Sequence, residues 1–289
     1  MKCDLCPRRC GIDRNNVPGF CGVTNTIKIA RAGLHFWEEP IISGKEGSGT
    51  IFFSGCNLKC VYCQNYDISS QAFGKEISVS RLAEIFKELE EKGANNINLV
   101  TPSHYAKQIV EALKIYKPNI PIVYNTSGYD SLEVLKIMDG WVDVYLTDLK
   151  YCSSDLSKKY SKAEDYFLVA TKAIKEMVRQ QPNNVFENDL LKKGVVIRHM
   201  VLPGCEKDSC KVLDWIKENL GAETLVSVMG QYTPYHNSKN YPEINRKLKP
   251  IEYKIVLNHF LKIGLTNGFS QDLESASEEY IPPFNLEGV

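Results

Sequence analysis

The sequence predicts an α/β protein in which six strand–helix units form a partial (βα)6 barrel behind a small N-terminal cysteine-rich metal-binding module. From residue 50 onward, short apolar runs alternate with segments of helical periodicity. The runs are rich in Val, Ile and Leu and carry almost no charge, as in parallel strands buried on both faces. Repeated alternation implies right-handed βαβ units. We divide the chain into residues 1–48, the module with a lead-in strand, and residues 49–289, the barrel with its C-terminal tail.

The individual elements follow from the two periodicities. Strands are expected at 26–30, 50–53, 96–101, 120–124, 142–147, 195–202 and 224–229. Helices are expected at 78–92, 103–116, 130–138, 164–180, 208–219 and 250–263. The first of these helices has apolar residues at i, i+3, i+4 and i+7, which is the pattern of one buried face. Residues 180–189 and 232–249 are polar and rich in Asn and Pro, so we expect loops there.

Composition excludes several classes of protein. Lys plus Arg and Asp plus Glu each number 35 in 289 residues, so the net charge is zero. No broad attraction to nucleic acid or to an anionic membrane is expected. We find no apolar run of 18 residues and no apolar secretory signal, and therefore predict a cytoplasmic chain with no membrane span. Ten cysteines in such a chain indicate metal ligands rather than disulfides.

The first cysteine group to consider is Cys56, Cys60 and Cys63, spaced C-x3-C-x2-C directly after the strand at 50–53. Thiolate ligands without oxygen favour zinc or an iron–sulfur cluster. Full cysteine ligation of a [4Fe–4S] cluster needs four thiolates, so three would leave one iron open to a ligand that is not protein. The alternative is a structural zinc site with a fourth ligand from elsewhere, although such sites usually combine C-x2-C pairs.

The second group is Cys3, Cys6, Cys10 and Cys21, spaced C-x2-C-x3-C-x10-C among turn-forming Gly and Pro residues. Four thiolates form a closed ligand set, as in a structural zinc site. They could equally hold a second, fully coordinated [4Fe–4S] cluster that relays electrons. Between these two, the sequence slightly favours zinc.

Polar residues at the carboxyl ends of the predicted strands are candidates for a binding site, because ligands of such sheets gather there. An arginine within a buried strand, Arg198, is costly unless it is paired. A ligand carboxylate or a structural salt bridge could supply the partner. Asp148 and Lys150 lie two residues apart, so their side chains point the same way. The full set of candidates is Thr101, Ser103, Asn125, Asp148, Lys150, Arg198 and His236.

The cysteine spacing, with Tyr62 before the last cysteine, resembles that of the radical S-adenosylmethionine superfamily. Further features are similar to the pyruvate formate-lyase activating enzyme group, in its branch with an N-terminal cysteine module. They are Asp148-x-Lys150, Arg198 ahead of Val201-Leu202-Pro203-Gly204, and Tyr235-His236. One departure is the lack of Gly-Gly-Glu after the second barrel strand, where Thr101 and Ser103 stand instead.

This resemblance implies an enzyme whose [4Fe–4S] cluster, held by Cys56, Cys60 and Cys63, binds S-adenosylmethionine at its open iron. Reductive cleavage would give a 5′-deoxyadenosyl radical that abstracts hydrogen from a substrate. The implied contacts to S-adenosylmethionine are Tyr62 and the seven strand-end candidates; no catalytic residue beyond the cluster is assigned. The implied partners are an electron donor such as flavodoxin or ferredoxin and a glycyl radical enzyme. The substrate could instead be another peptide or a small metabolite.

Two alternatives come from other classes of protein. A zinc-binding adaptor would use both cysteine groups structurally, and an iron–sulfur electron carrier would not react with S-adenosylmethionine. The tail at 269–289 contains Pro282, Pro283 and Phe284 and few helix signals. We expect it to lie across the barrel mouth as a cover or a docking strand.

Overall fold

The fold is built on one mixed sheet of ten strands, seen in a computed structural model that describes residues 2–270 and 282–289. The strands are β1 (Ile27–His35), β2 (Ser48–Phe53), β3 (Lys75–Ile77), β4 (Ile97–Val100), β5 (Ile122–Thr126), β6 (Val144–Asp148), β7 (Val185–Glu187), β8 (Leu190–Met200), β9 (Leu225–Met229) and β10 (Gly268–Ser270). Their order is β10-β9-β8-β6-β5-β4-β2-β1-β3, and β7 pairs with β8 outside this path.

The six predicted barrel strands are confirmed as β2, β4, β5, β6, β8 and β9, and neighbours among them pair in parallel. Strand β10 adds a further parallel strand at one edge. The lead-in strand is longer than predicted, extends to His35 and pairs antiparallel with β2. The module's strand therefore belongs to the barrel sheet, and the division at residue 48 stays a prediction.

The described residues contain nine α-helices, and the longer ones cover the outer face of this sheet. The nine are α1 (Pro40–Ser43), α2 (Tyr66–Ser69), α3 (Val79–Glu91), α4 (Ala106–Ile115), α5 (Leu132–Met138), α6 (Ser154–Ser161), α7 (Tyr166–Gln180), α8 (Glu206–Leu220) and α9 (Pro250–Lys262). The six predicted helices correspond to α3, α4, α5, α7, α8 and α9, with a 3-10 turn (Ser103–Tyr105) opening α4. The short helices α1, α2 and α6 were not predicted, because four to eight residues show too little periodicity.

Two predicted loops contain regular structure. Residues 180–189 include β7, which forms a hairpin with β8 because β8 begins at Leu190, ahead of the predicted strand. Asn188 and Asp189 both have positive φ, at 51° and 62°, as a two-residue turn of this hand requires. Residues 232–249 contain a 3-10 helix, His236–Asn240. Both predictions of pure loop were wrong at these positions.

Side chains of the central strands alternate between the helix layer and the barrel interior. Tyr124, Tyr145 and Ile197 belong to the large core under the helices. Val123, Leu146 and Val196 belong to a smaller cluster inside the barrel. Because strand side chains alternate with a period of two, the residues two positions further along these strands also face the interior. Those residues are Asn125, Asp148 and Arg198.

The connection from β1 to β2 closes the lower end of the barrel. Ile41 and Ile42 of α1 are buried and join the interior cluster with residues of β5, β6, β8 and β9. The Asn96 side-chain amide donates to the Ile42 carbonyl at 2.7 Å and fixes this short helix. We call residues 36–43 the barrel floor. It places Glu38 and Glu39 beneath the carboxyl ends of the strands.

The two ends of the chain both pack on the first strands. The N-terminal segment, residues 2–25, is a series of turns that packs on the loop after β2. At the other end, the Leu286 amide donates to the Ala30 carbonyl at 3.0 Å, and the Ala32 amide donates to the Glu287 carbonyl at 2.8 Å. Residues 271–281 of the predicted tail lie outside the described residues. Within the described chain, no helix has the length and apolar character needed to span a membrane.

Candidate active site

A cavity of about 280 Å³ opens at the carboxyl ends of the parallel strands. Its walls come mainly from four parts of the chain that are distant in sequence: the cysteine loop after β2, the carboxyl ends of β4, β5, β6, β8 and β9, the barrel floor, and Pro282 of the C-terminal tail. Lining residues used below are Glu38, Glu39, Cys56, Cys60, Tyr62, Cys63, Thr101, Asn125, Asp148, Lys150, Arg198 and Pro282. The predicted strand ends therefore do converge on one cavity.

The three thiols of Cys56, Cys60 and Cys63 all line this cavity. Their loop is held by the Asn57 side chain, which donates to the Tyr129 carbonyl at 2.7 Å. Gly55 begins the loop with φ +91°, and a Cβ there would lie 2.8 Å from the Cys21 carbonyl oxygen. Only glycine fits this turn without strain.

Burial raises the pKa of Cys60 to about 11 and that of Cys63 to about 12, with neighbouring thiols adding to the effect. The free thiols are therefore protonated at neutral pH, and metal binding must displace their protons. Soft sulfur donors that line one cavity fit an iron–sulfur cluster chemically. Among the described residues, no three His, Cys, Asp or Glu side chains are arranged to hold a single metal ion.

The same cavity is lined by a ring of charged and amide side chains centred on Arg198. Its guanidinium donates to Asp148 at 2.8 Å, to Glu38 at 2.9 Å and to the side-chain Oδ1 of Asn125 at 2.8 Å. Lys150 donates to the second Asp148 oxygen at 2.5 Å. We call these five residues the Arg198 ring.

The ring is electrostatically satisfied within the protein. Burial alone would raise the pKa of Asp148, but the charges of Arg198 and Lys150 lower it below its ordinary value. Burial raises the pKa of neighbouring Glu39, and this outweighs the opposing effect of Arg198. Asp148 is therefore a carboxylate at neutral pH. The sequence allowed either a ligand carboxylate or a structural salt bridge as the partner of Arg198. The structure contains the salt bridge, and Arg198 pairs with Glu38 as well as with Asp148.

Glu38 was not identified from the sequence. It follows β1 rather than a parallel strand, and its partner Arg198 is 160 residues away along the chain. Its second oxygen accepts from Asn98 at 3.0 Å and from Asn125 at 2.8 Å. The only sequence signal was an acidic pair, Glu38-Glu39, within an otherwise aromatic stretch.

Thr101 and Tyr62 line the cavity as expected. Thr101 has φ +59°, which is unusual for a β-branched residue and marks local backbone strain of the kind found at functional sites. Its amide donates to the Asn125 carbonyl at 2.9 Å, so the strained residue is fixed to the neighbouring strand. The Tyr62 hydroxyl contacts the Tyr151 hydroxyl at 2.5 Å.

Two predicted residues are not among the described residues that line the cavity. Ser103 is buried and hydrogen-bonded to Asp130 and to the Tyr124 hydroxyl. His236 stacks on Tyr66 with ring centroids 4.4 Å apart and lies outside the cavity wall. Both belong to the surroundings of the site in this structure.

The N-terminal cysteines form a separate group next to the cysteine loop. Burial raises the pKa of Cys6 to about 11, and the nearby thiols of Cys21, Cys10 and Cys3 raise it further. The Cys56 amide donates to the Cys21 carbonyl at 3.1 Å. None of these four side chains lines the cavity in the part of the chain described.

Arg8 fastens this module to the barrel. It donates to the Asn57 carbonyl at 2.7 Å, to the Lys162 carbonyl at 2.5 Å and to the Ser161 carbonyl at 3.2 Å. Its guanidinium also lies 4.1 Å from the centroid of the Phe20 ring. One side chain thus links the module to the cysteine loop and to the end of α6.

Comparison with known proteins agrees with this architecture. An uncharacterized protein of Methanocaldococcus jannaschii is 35% identical over 85% of this chain and 70% of its own length. The pyruvate formate-lyase-activating enzyme of Clostridium pasteurianum is 26% identical over 73% of this chain and 87% of its own length. The second similarity supports the activase-like resemblance seen in the sequence.

Solved structures with the same fold include Streptococcus suis SuiB bound to its precursor peptide SuiA. That structure has a TM-score of 0.53 and 15% identity, and the match covers 78% of this chain and 49% of SuiB. SuiB bound to S-adenosylmethionine gives a TM-score of 0.50 and 14% identity, covering 78% of this chain and 50% of SuiB. This chain therefore spans about half the length of SuiB.

A sequence model of the Radical SAM superfamily matches residues 50–216, from β2 into α8. That match covers more than half of the chain, and it contains both the cysteine loop and Arg198. Membership implies an enzyme that binds S-adenosylmethionine and a [4Fe–4S] cluster. The chain belongs to the Radical SAM superfamily.

Proposed function

We propose that this chain cleaves S-adenosylmethionine reductively, using a cluster held by Cys56, Cys60 and Cys63, and passes the radical to a polypeptide. One observation carries the proposal: the three thiols and the Arg198 ring line a single cavity, and Lys150 of the ring lies close enough to Cys60 for their charges to interact. When bound, the [4Fe–4S] cluster supplies one electron to the sulfonium, which breaks its bond to C5′, releases methionine and leaves a 5′-deoxyadenosyl radical to abstract hydrogen.

The protein's part is to hold the amino-acid end of S-adenosylmethionine. A guanidinium has five N–H donors. Arg198 uses three of them within the ring, so two can reach a carboxylate. Glu38 and Asp148 fix the plane of the guanidinium beforehand, which lowers the entropic cost of binding. We assign Asn125, Lys150, Thr101 and Tyr62 to the remaining contacts, because they line the same cavity.

We do not assign direct contacts with S-adenosylmethionine to Ser103 and His236, because neither lines the cavity. Ser103 holds Asp130 beneath the site, and His236 stacks on Tyr66 beside the cysteine loop. A cover over the bound cofactor would exclude water from the reacting atoms. Pro282 lines the cavity, and Phe284 packs on Phe52 with ring centroids 5.4 Å apart.

We further propose that Cys3, Cys6, Cys10 and Cys21 hold a second metal, with zinc slightly favoured over a [4Fe–4S] cluster. The support is that the other three thiols lie close enough to Cys6 to add to the rise in its pKa that burial causes. Because the described side chains are not already arranged around a single ion, metal binding would have to draw the four sulfurs together. Four thiolates can satisfy a metal without any exogenous ligand. The module would then stiffen the backbone against which the cysteine loop packs.

A polypeptide substrate is favoured by the named relatives. The Clostridium pasteurianum relative is named for the activation of pyruvate formate-lyase, and SuiB was solved with a precursor peptide. We propose the backbone glycine of a glycyl radical enzyme as the hydrogen donor, with flavodoxin or ferredoxin as the electron donor. Another peptide or a small metabolite is the alternative.

The activity is tested by anaerobic reconstitution with iron and sulfide, followed by a 5′-deoxyadenosine assay with dithionite as reductant. We expect a brown protein that forms 5′-deoxyadenosine. A colourless, zinc-loaded protein without cleavage would indicate an adaptor. A brown protein that leaves S-adenosylmethionine intact would indicate an electron carrier, and either result would overturn the proposal.

The substrate is tested separately. The reduced enzyme is incubated with S-adenosylmethionine and candidate glycyl radical enzymes, and electron paramagnetic resonance should detect a carbon-centred glycyl radical. If no such signal forms while a small molecule accelerates 5′-deoxyadenosine production, the polypeptide assignment fails and the cleavage activity stands.

A further inference from the structure

Each sulfur of the cysteine loop has a hydrogen-bond donor from the protein, and the Asn65 amide is a second donor to the Cys63 sulfur. The Leu58 amide lies 3.4 Å from the Cys56 sulfur. The Ser161 hydroxyl lies 2.9 Å from the Cys60 sulfur, and the Ser69 hydroxyl donates to the Cys63 sulfur at 3.2 Å. The first donor is local to the loop, whereas the two serines are the last residues of helices α6 and α2.

The donor to Cys60 is the end of a buried hydroxyl chain. The Tyr151 hydroxyl lies 2.7 Å from that of Ser161, and the Tyr62 hydroxyl lies 2.5 Å from that of Tyr151. All three residues are buried. A metal-bound cysteine is a thiolate and can only accept, so Ser161 must donate to it. Ser161 must then accept from Tyr151, which in turn accepts from Tyr62, and all three bonds point toward the sulfur.

We infer that Ser161 and Ser69 are positioning residues that raise the reduction potential of the cluster by donating hydrogen bonds to Cys60 and Cys63. The inference rests on the proposed function, because it takes these cysteines to be the cluster ligands. Reduction by a one-electron donor protein adds one negative charge to the cluster and its thiolates and breaks no protein bond. A hydroxyl proton aimed at a thiolate stabilises the more negative, reduced state.

The geometry predicts a graded series of potentials. Ser161→Ala removes the donor to Cys60 and should make the midpoint potential more negative. Tyr151→Phe leaves that donor in place but removes the hydroxyl that polarises it, so its shift should have the same sign and be smaller. Ser69→Ala should also lower the potential, and the double variant Ser69→Ala/Ser161→Ala should show the largest shift.

The chain contains a matched control on the same helix. Ser157 is fully buried in α6, four residues before Ser161, but its hydroxyl donates to the Ser154 carbonyl at 3.1 Å. Ser157→Ala therefore removes one buried hydroxyl from α6 without removing a bond to sulfur. We expect its midpoint potential to equal that of the unmodified chain.

The test is a redox titration of the reconstituted full chain, with the reduced cluster followed by electron paramagnetic resonance. Iron and sulfide contents are measured on each sample first. A Ser161→Ala potential equal to that of Ser157→Ala, at equal cluster content, would overturn the inference. If Ser161→Ala does not load a cluster, the Tyr151→Phe variant becomes the test, because it keeps Ser161. A more negative midpoint potential in Tyr151→Phe would support the inference, and an unchanged potential would overturn it.

Failure of the inference is distinguishable from failure of the proposed function. If Cys56→Ala, Cys60→Ala and Cys63→Ala all retain a cluster signal that changes when S-adenosylmethionine is added, the cysteine assignment is wrong and the titration does not concern this loop. If those variants lose the signal while the serine variants keep the original potential, the cluster is in place and only the role of the serines is refuted.

Discussion

The two groups of cysteines lie on either side of one hydrogen bond, from the Cys56 amide to the Cys21 carbonyl, yet their surroundings differ. Cys56, Cys60 and Cys63 line a cavity that the Arg198 ring also lines. The thiols of the N-terminal module lie outside that cavity, among turns, and Cys6 and Cys21 are buried.

This difference shows that the same type of ligand, a cysteine thiolate, can serve either a binding cavity or a closed structural site. A thiol group that opens on a cavity can share its metal centre with a small molecule, whereas four thiols packed among turns suit a site that is complete by itself. The following predictions compare the two groups, beginning with the largest expected effect.

Removing a single thiol from the cysteine loop should abolish the activity. Cys56→Ala, Cys60→Ala or Cys63→Ala leaves only two thiolates, too few to hold a cluster whose fourth iron must stay open. The measurement is 5′-deoxyadenosine formation together with iron content. Cys210→Ala is the control, because Cys210 lies on α8 and does not line the cavity. Full activity in any of the three loop variants would contradict the cluster assignment.

The module should keep its metal when the cysteine loop has lost all of its thiols. In the triple variant lacking Cys56, Cys60 and Cys63, metal analysis should find about one zinc, or about four irons, per chain. The first result would identify a structural site and the second an electron relay. A metal-free triple variant would refute a second site.

Arg198→Ala should weaken the binding of S-adenosylmethionine roughly 10- to 100-fold, because a hydrogen bond to a charged group is worth about 1.5–3 kcal/mol. Equilibrium dialysis on the reconstituted protein measures this. Arg246→Ala is matched to it, since Arg246 is ion-paired with Glu252 at 2.6 Å outside the cavity wall.

Arg198 also neutralises Glu38 and Asp148, so thermal unfolding of the Arg198→Ala variant should be measured in parallel. A loss of stability with unchanged affinity would reduce Arg198 to a structural residue. Arg198→Lys keeps the positive charge but lacks the planar, forked guanidinium. Compared with Arg198→Ala, it should recover more of the thermal stability than of the affinity for S-adenosylmethionine.

Gly55→Ala should destabilise the contact between the two cysteine groups. The substitution adds a Cβ 2.8 Å from the Cys21 carbonyl oxygen, in a backbone conformation that costs about 1–2 kcal/mol for a residue with a side chain. Gly93→Ala has a similar φ, +80°, with no atom within 4 Å of the new Cβ. The free energy of unfolding from urea titrations should fall more for Gly55→Ala, and equal losses would show that the steric contact is unimportant.

The fold could be predicted largely because its parallel strands are buried on both faces and read as apolar runs. The same period-two geometry explains why Asn125, Asp148 and Arg198 were found as site candidates. Each stands on the interior side of its strand, two residues beyond an apolar interior residue. At these three residues the alternation along the strand is therefore enough to predict that the side chain faces the barrel interior.

The rest depended on contacts that no local pattern contains. Glu38 reaches the site because a connection folds under the barrel, and Ser161 reaches Cys60 from a short polar helix. His236 was a candidate because it follows the last predicted barrel strand, and it stacks on Tyr66 outside the cavity wall. The turn at Asn188-Asp189 did carry a usable signal, since both residues tolerate positive φ.

The barrel floor has a consequence for the evolution of this site. Glu38 and Arg198 are separated by 160 residues but share one ion pair in a buried wall. Loss of Arg198 leaves the Glu38 carboxylate without its cation, and loss of Glu38 leaves Arg198 with only Asp148, which Lys150 also shares. Natural variants that lose one of the two residues should therefore be purged unless the other changes too. Positions 38 and 198 are therefore expected to covary in descendants of this chain, and an insertion within residues 36–43 should be selected against as strongly as a substitution in a strand.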